Sequence, residues 1–599
     1  MTETNPYNGM GAIVHPEGVA FRVWAPNADQ VFLRGEFNAW SDDAHPLEHE
    51  ANGYWYINIP GAKAGQEYQY LIINGEQRLY RRDPYARQVT NSSGNSVIYD
   101  PAAFDWQGDD FTLPPFNELV IYEMHVGSFF TEGDGKAGEF SDAEEKFGHL
   151  KHLGVNVIQV MPVAEFAGDF SWGYNPADIF AVESTYGGPD AYKAFVRAAH
   201  KAGLGVIQDV VYNHFGPSDL NLWQFDGWNQ DGKGGIYFYN DWRAETPWGA
   251  TRPDYGREEV RSFIRDNVIM WLEEYHIDGL RADMTAYIRS VDGSEASSLK
   301  DGWSLMRKIN SEIRQRFPRV ITIAEDLHSL PAITQSDLEG GAGFHAQWDG
   351  NFVHPVRKAV TQVQDEWRSM DALRDAILHS YDSDAFRRVI YSESHDEVAN
   401  GKTRLPQAID PDDPKGWYAR KRSTLAAGLV FTSPGIPMLF QGQEFIEGLW
   451  FRDDVPLDWH LNTEFHGIVR LYRDLVALRR NLQGNTRGLQ GQFTNFFHTN
   501  DANDLIAFQR FDQHGPGDDV IVVLNFGAAP KTDYVIGLPD AGIWKLRFNS
   551  DSNIYNDDFS NFMTGDIEGF EGGKDGLSHH GSFNIGPYTM LVFSKDRED

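Results

Sequence analysis

The sequence predicts an α/β protein: a (β/α)8 TIM barrel with a β-sandwich at each end. Three observations lead there. Between residues 118 and 480, short β-branched apolar runs alternate with longer amphipathic stretches, the rhythm of parallel strands joined by crossover helices. Before and after that region the text changes to short alternating runs broken by Asn, Gly and Pro, as antiparallel sandwiches require. Several central runs also end in a carboxylate, at the strand end where such barrels place their chemistry. A doubly wound open sheet is the alternative, but no glycine-rich phosphate turn follows the first run.

In chain order, residues 1–100 read as the first sandwich, with GVAFRVWAP, QVFLRG, YWYINIP and YQYLIIN as strands. Residues 101–117, containing Pro114-Pro115, read as a linker. The barrel occupies 118–480. Its inner strands are expected at Val120–Val126, Val155–Val163, Leu204–Val211, Ile277–Asp283, Arg319–Glu325, Ala346–Trp348, Val389–Ser394 and Ile436–Gln441. Between them lie helical stretches such as DAYKAFVRAAHKAG and REEVRSFIRDNVIMWLEEYH. Residues 213–257 interrupt the rhythm as a long loop-like insertion, and so long a stretch in a compact domain carries function or forms a subdomain. Residues 481–599, with LIAFQRF, DVIVVLNF, IWKLRFN and YTMLVFS, read as a second sandwich that braces the barrel.

Composition narrows the partners. Asp plus Glu is 87 against 52 for Lys plus Arg, a net charge of −35, which disfavours nucleic acid. Neutral glucans meet no such repulsion. The absence of cysteine removes disulfides, thiolate zinc sites and a cysteine nucleophile. No apolar run approaches the roughly 20 residues of a membrane span, and the first residues lack a basic-then-apolar leader. A cytoplasmic protein without a membrane partner is expected; its oligomeric state stays open. Aromatic residues make up 14%, enough for core and for stacking on sugar faces, with Trp24, Trp40, Trp172 and Tyr174 as candidates.

The fourth, fifth and seventh strands lead into Asp283, Glu325 and Asp396. A single acid there is ordinarily a helix N-cap. Three on one rim, with Arg281 and His395 beside them, point to chemistry. Arg281 and Asp283 are two apart on a strand and share a face, so the guanidinium is expected to keep Asp283 ionised. Glu325, after the apolar run VITIA, is the better candidate for a raised pKa. One ionised and one protonated carboxyl are what a retaining glycosidase needs, and Asp396 would grip sugar hydroxyls. Asp209 and His214 close the third strand as further sugar-hydroxyl ligands, while Trp172 and Tyr174 offer rings for a subsite floor. Asn213 with its neighbours could suit calcium, but the further carboxylates are not evident. No metal or cofactor is expected, and a structural calcium near Asn213 stays open.

DVVYNH (Asp209–His214), GLRAD (Gly279–Asp283), IAED (Ile323–Asp326) and ESHDE (Glu393–Glu397) resemble the four short regions of the α-amylase family, glycoside hydrolase family 13. The resemblance implies a retaining double displacement on α-glucosidic bonds without a cofactor. It matches Asp283 to the nucleophile, Glu325 to the general acid/base and Asp396 to the transition-state stabiliser. It matches Arg281, His214 and His395 to residues that hold the sugar in subsite −1, and Tyr174 to a stacking tyrosine. Phe21–Trp40 and RRDPYAR (Arg81–Arg87) resemble the N-terminal carbohydrate-binding module of branching enzymes, isoamylases and trehalohydrolases. SHDEVANGKTRL (Ser394–Leu405) is similar to the glycogen-branching subgroup, whereas DVVYNHFGP resembles trehalohydrolase or isoamylase, and PVAEFAGDFSWGYNPADIF and GFHAQWDGNF lean toward trehalohydrolase. The favoured implication is a 1,4-α-glucan branching reaction, with a glycosyl group held on Asp283 and passed to a 6-hydroxyl. Trehalohydrolase, debranching enzyme and intracellular α-amylase are the hydrolytic alternatives. A glucan-binding protein with a dead barrel is the reading from another class, and the presence of all three acids stands against it.

Overall fold

Short runs such as VIQV and ITIA are β-branched and apolar on both sides, so each suits a strand buried on both faces. In the computed structural model, which describes residues 7–133 and 135–597, these runs do become such strands. The first six residues, on which the leader reading partly rests, lie outside that range. Among the described residues, eight parallel strands close into a barrel: β1 (Ile121–Met124), β2 (Val157–Val160), β3 (Gly205–Val210), β4 (Gly279–Ala282), β5 (Ile321–Ala324), β6 (Ala346–Trp348), β7 (Arg388–Ile390) and β8 (Ile436–Phe440). Closure is made by β8 against β1, with Ile121 opposite Met438. Six lie inside the expected runs but are shorter, β6 matches its run, and β7 begins one residue before its run, at Arg388. The largest difference is at β7, which stops at Ile390 rather than Ser394, so Asp396 sits on the following loop in a one-turn 3-10 helix, Asp396–Val398.

The helix Gly188–Ala202 illustrates how the outer layer forms. Pro189 opens it in the first turn, where its missing N–H costs nothing. Tyr192, Phe195, Val196 and Ala199 recur at helical spacing and are buried on the inner face. Gly203 ends it at φ +83, donating its N–H to the carbonyls of Ala199 and His200.

Among the described residues the N-terminal module is two antiparallel sheets face to face. Gly18–Trp24 pairs with Tyr54–Pro60, and Gln30–Gly35 pairs with Glu67–Asn74. Phe21 from one sheet meets Tyr68 of the other edge-on at 5.0 Å. The barrel's inserted segment is the seat of this module. Arg82 Nη2 donates to the Asp219 carbonyl at 2.6 Å, and Arg81 donates to the Phe225 carbonyl at 2.8 Å. Asn27 donates to Asp226 at 2.9 Å. Trp24 is only 6% exposed, its ring against Tyr237. It is therefore an interface residue and not the sugar-stacking surface expected of it.

The C-terminal residues form an antiparallel path of eight strands among those described, curled about one core that includes Ile521, Trp544, Phe583 and Phe593. It is fastened to the barrel helix Trp417–Thr432 by Lys421, which donates to Asp551 at 2.7 Å in a buried pair. Gly428 of that helix faces Met590 so closely that a Cβ would lie 2.6 Å from its sulfur. No helix among the described residues is long and apolar enough to cross a membrane.

Candidate active site

The site is built around Arg281 on β4, whose side chain is wholly buried. A buried guanidinium needs anionic partners, and three elements supply them. Nη1 donates to both oxygens of Asp209 on β3, at 2.9 and 2.8 Å, and to Asp283 Oδ1 at 3.0 Å. Nη2 lies 2.8 Å from Glu325 Oε2. The guanidinium rests over the ring of Trp348 on β6, 4.3 Å from its centroid. One cation thus holds three carboxyls from β3, β4 and β5 at the C-terminal rim.

Asp283 and Glu325 each follow immediately on the last residue of their strand. Both are almost fully buried, whereas the Asp396 side chain is 44% exposed at the mouth. Burial pushes Glu325 up to about 8, opposed by Arg281 and reinforced by the negative charges of Asp283 and Asp396. The sequence reading expected Arg281 to leave Asp283 with a low pKa. Instead burial raises it too, outweighing Arg281 and a hydrogen bond from Asn213. The nearby Asp209 charge adds to that rise. Glu325 Oε2 accepts from the Met284 N–H at 3.0 Å, and its Oε1 is buried without a protein partner.

Two expected sugar ligands are placed differently. Asp209 is fully buried, with its oxygens taken by Arg281 and by the Tyr174 hydroxyl at 2.6 Å. Its carboxylate thus holds Arg281 and Tyr174 in place. Burial, only partly offset by Arg281, pushes it up to about 6. His214 is also buried. Its Nε2 meets the Tyr174 carbonyl at 2.8 Å and its Nδ1 meets the Asn213 side chain. Burial pushes its pKa down to about 4, against the Tyr174 carbonyl. With both nitrogens engaged, His214 braces Asn213. The Asn213 amide donates to Asp283 Oδ2 at 2.7 Å and to its carbonyl at 3.0 Å. Among the described residues no group of three or more His, Cys, Asp or Glu could hold a metal ion.

His395 lies under the ring of Tyr174, stacked at 4.9 Å, with Trp172 edge-on at 5.9 Å. Tyr174 and Trp172 are half-buried and reach the cleft. The partner of His395 escaped the sequence reading. It is Glu123 on β1, which accepts from the His395 backbone N–H at 3.1 Å and from Nδ1 at 2.7 Å. Burial opposes the imidazolium, but Glu123 and Asp396 outweigh it and hold the pKa at about 9. The available signal was a lone acid inside the apolar run VIYEMHV. The contact of Asn213 with Asp283 and the place of Trp348 under Arg281 were also missed. Glu123→Gln is expected to bring His395 from about 9 toward the ordinary value of about 6.5. Ring-proton NMR titration reads this directly, and an unmoved titration rejects the pairing.

Comparison with known proteins places the chain in a family. Residues 9–86 match carbohydrate-binding module 48, the isoamylase N-terminal domain. Residues 120–233 and 220–453 match the α-amylase catalytic domain, and 497–596 its C-terminal all-β domain. A 1,4-alpha-glucan branching enzyme of Rhodospirillum rubrum is 31% identical over 99% of this chain and 83% of its own length. One from Marinobacter nauticus is 31% identical over 92% of this chain and 90% of its own. Among solved structures, an Anoxybacillus pullulanase complexed with maltotetraose is similar with a TM-score of 0.76 at 24% identity, covering 98% of this chain and 88% of that one. A Paenibacillus barengoltzii pullulanase, in complex with maltohexaose and α-cyclodextrin, gives 0.74 at 21% identity over 99% and 96%. At those identities the structural likeness speaks for the fold alone.

Proposed function

The chain belongs to the α-amylase family, and from that premise we propose that it is a 1,4-α-glucan branching enzyme acting on α-glucans in the cytoplasm. The Asp283 carboxylate attacks the anomeric carbon while the Glu325 carboxyl gives its proton to the glycosidic oxygen. The α-1,4 bond breaks and the glycosyl group is held as an ester on Asp283. Glu325, now ionised, takes the proton of an incoming 6-hydroxyl. Its oxygen bonds to the anomeric carbon, Asp283 leaves, and an α-1,6 branch is made. Asp396 at the mouth faces the positive charge of the distorted sugar, and the His395 imidazolium, as an N–H donor, faces its hydroxyls. Arg281 and Asn213 keep Asp283 oriented for attack.

The observation that supports the double displacement is the closeness of the two carboxyls, Asp283 at 3.0 Å and Glu325 at 2.8 Å from one buried guanidinium, with burial pushing Glu325 up to about 8. Branching over hydrolysis is supported by the near full-length likeness to branching enzymes. Incubation with amylose is expected to give new α-1,6 signals by proton NMR without a matching rise in reducing ends. Free trehalose from maltooligosyltrehalose would make the enzyme a trehalohydrolase, and short maltooligosaccharides alone would make it an amylase.

A further inference from the structure

The inserted segment after β3 does more than seat the N-terminal module. Trp248 lies in the tight turn Thr246–Gly249, where the Thr246 N–H meets the Gly249 carbonyl at 2.9 Å and the Gly249 N–H returns to the Thr246 carbonyl at 3.2 Å. The wholly buried Arg252 bolts this turn down. Its Nε donates to the Arg243 carbonyl at 2.7 Å, and its Nη2 to the carbonyls of Glu245 at 2.6 Å and Val291 at 2.8 Å. Nη1 donates to the carbonyls of Ser290 and Tyr287. The turn is thereby fixed to the chain that follows Asp283.

One face of the Trp248 indole lies flat on His214, 4.5 Å between centroids and 15° between planes. The residue is nevertheless 40% exposed. Tyr287 meets it edge-on at 5.3 Å. A ring backed on one side, rigidly held and open on the other is suited to the apolar face of a pyranose.

Its side of the cleft follows from Glu325, which protonates the departing oxygen and deprotonates the incoming one. The Met284 N–H donates to Glu325 Oε2 at 3.0 Å, and the Thr285 N–H donates to the Glu325 carbonyl at 2.7 Å. Tyr287 stands on the short helix Thr285–Arg289 that begins there. We propose that Trp248 and Tyr287 form the platform that seats the incoming glucan chain beside Glu325. They thereby set the share of glycosyl groups passed to sugar rather than to water. This rests on the branching reading above.

The test compares Trp248→Ala, Trp248→Phe and Tyr287→Ala with the wild-type enzyme. The first readout is α-1,6 linkages formed per reducing end released from amylose. The second is kcat/KM for maltoheptaose relative to α-maltosyl fluoride, whose fluoride leaving group is too small to reach the platform. Each alanine variant is expected to lower both ratios by about tenfold, and Trp248→Phe, which keeps a ring and the fold, by less. Equal losses on the two substrates overturn the proposal. A loss in Trp248→Ala that Tyr287→Ala does not share also overturns it, since Trp248 would then only prop His214. A wild-type enzyme that forms no α-1,6 linkage refutes branching, and the substrate ratio alone then decides the platform.

Discussion

Replacing Glu325 by Gln is expected to cut turnover on amylose by about 10²–10⁴-fold, the usual contribution of a positioned general acid. The fold should survive. Glu325 is buried and its pKa is pushed up to about 8, so the site already favours a neutral group there, and Gln is neutral and nearly isosteric. With α-maltosyl fluoride, whose departing ion needs no proton, the loss should shrink. An equal loss on both substrates would make Glu325 a structural residue instead. Asp283→Ala should fail on both, because every route passes through the ester on that carboxyl. The pH dependence has a definite sign. Glu325 must be protonated to act, so activity falls as pH rises through about 8, while the need for an ionised Asp283, itself raised by burial, limits it on the acid side. Between the ordinary carboxyl value of about 4.3 and about 8, the native state binds a proton that the unfolded chain has released. Stability from this group therefore declines as pH rises across that window.

Arg281→Met is expected to destabilise the protein by about 3–5 kcal/mol at neutral pH, the cost of stranding buried charge. The substitution preserves volume but leaves Asp209, Asp283 and Glu325 without their shared cation. Urea unfolding at pH 7 measures the loss. At pH 5 the gap should narrow, because the freed carboxyls, already raised by burial, rise further without the cation and take up protons. Arg281→Lys should fall between the two, since it restores charge but cannot span several carboxyls in a fork. An Arg281→Met protein as stable as wild type would mean that the cluster is not held by this residue.

The corrections follow from specific contacts. His214 and Asp209 carry groups that could bind sugar, and nothing in DVVYNH reveals that Tyr174 and Arg281 occupy them first. Trp24 looks like a binding ring in FRVWAP, yet the inserted segment covers it with Tyr237. Glu123 and His395 are 272 residues apart, so no local pattern joins them. Trp348 reads as an ordinary strand residue until the barrel closes and brings it beneath Arg281.

Local physics was enough for the barrel and its three rim acids. Strand length, alternation and the residue after each strand are properties of contiguous chain, and the four short regions mark the family from the same contiguous text. Charge state and access were decided elsewhere. Whether Asp283 titrates high or low depends on burial, on Arg281 and on Asn213 at the end of the neighbouring strand. Whether a histidine meets sugar or protein depends on what packs against it. The acidic composition, at −35, disfavoured polyanions but placed none of these groups. Desolvation and pairing are set by neighbours in space, and only the closed barrel, with its inserted segment pressed against the N-terminal module, brings those neighbours together.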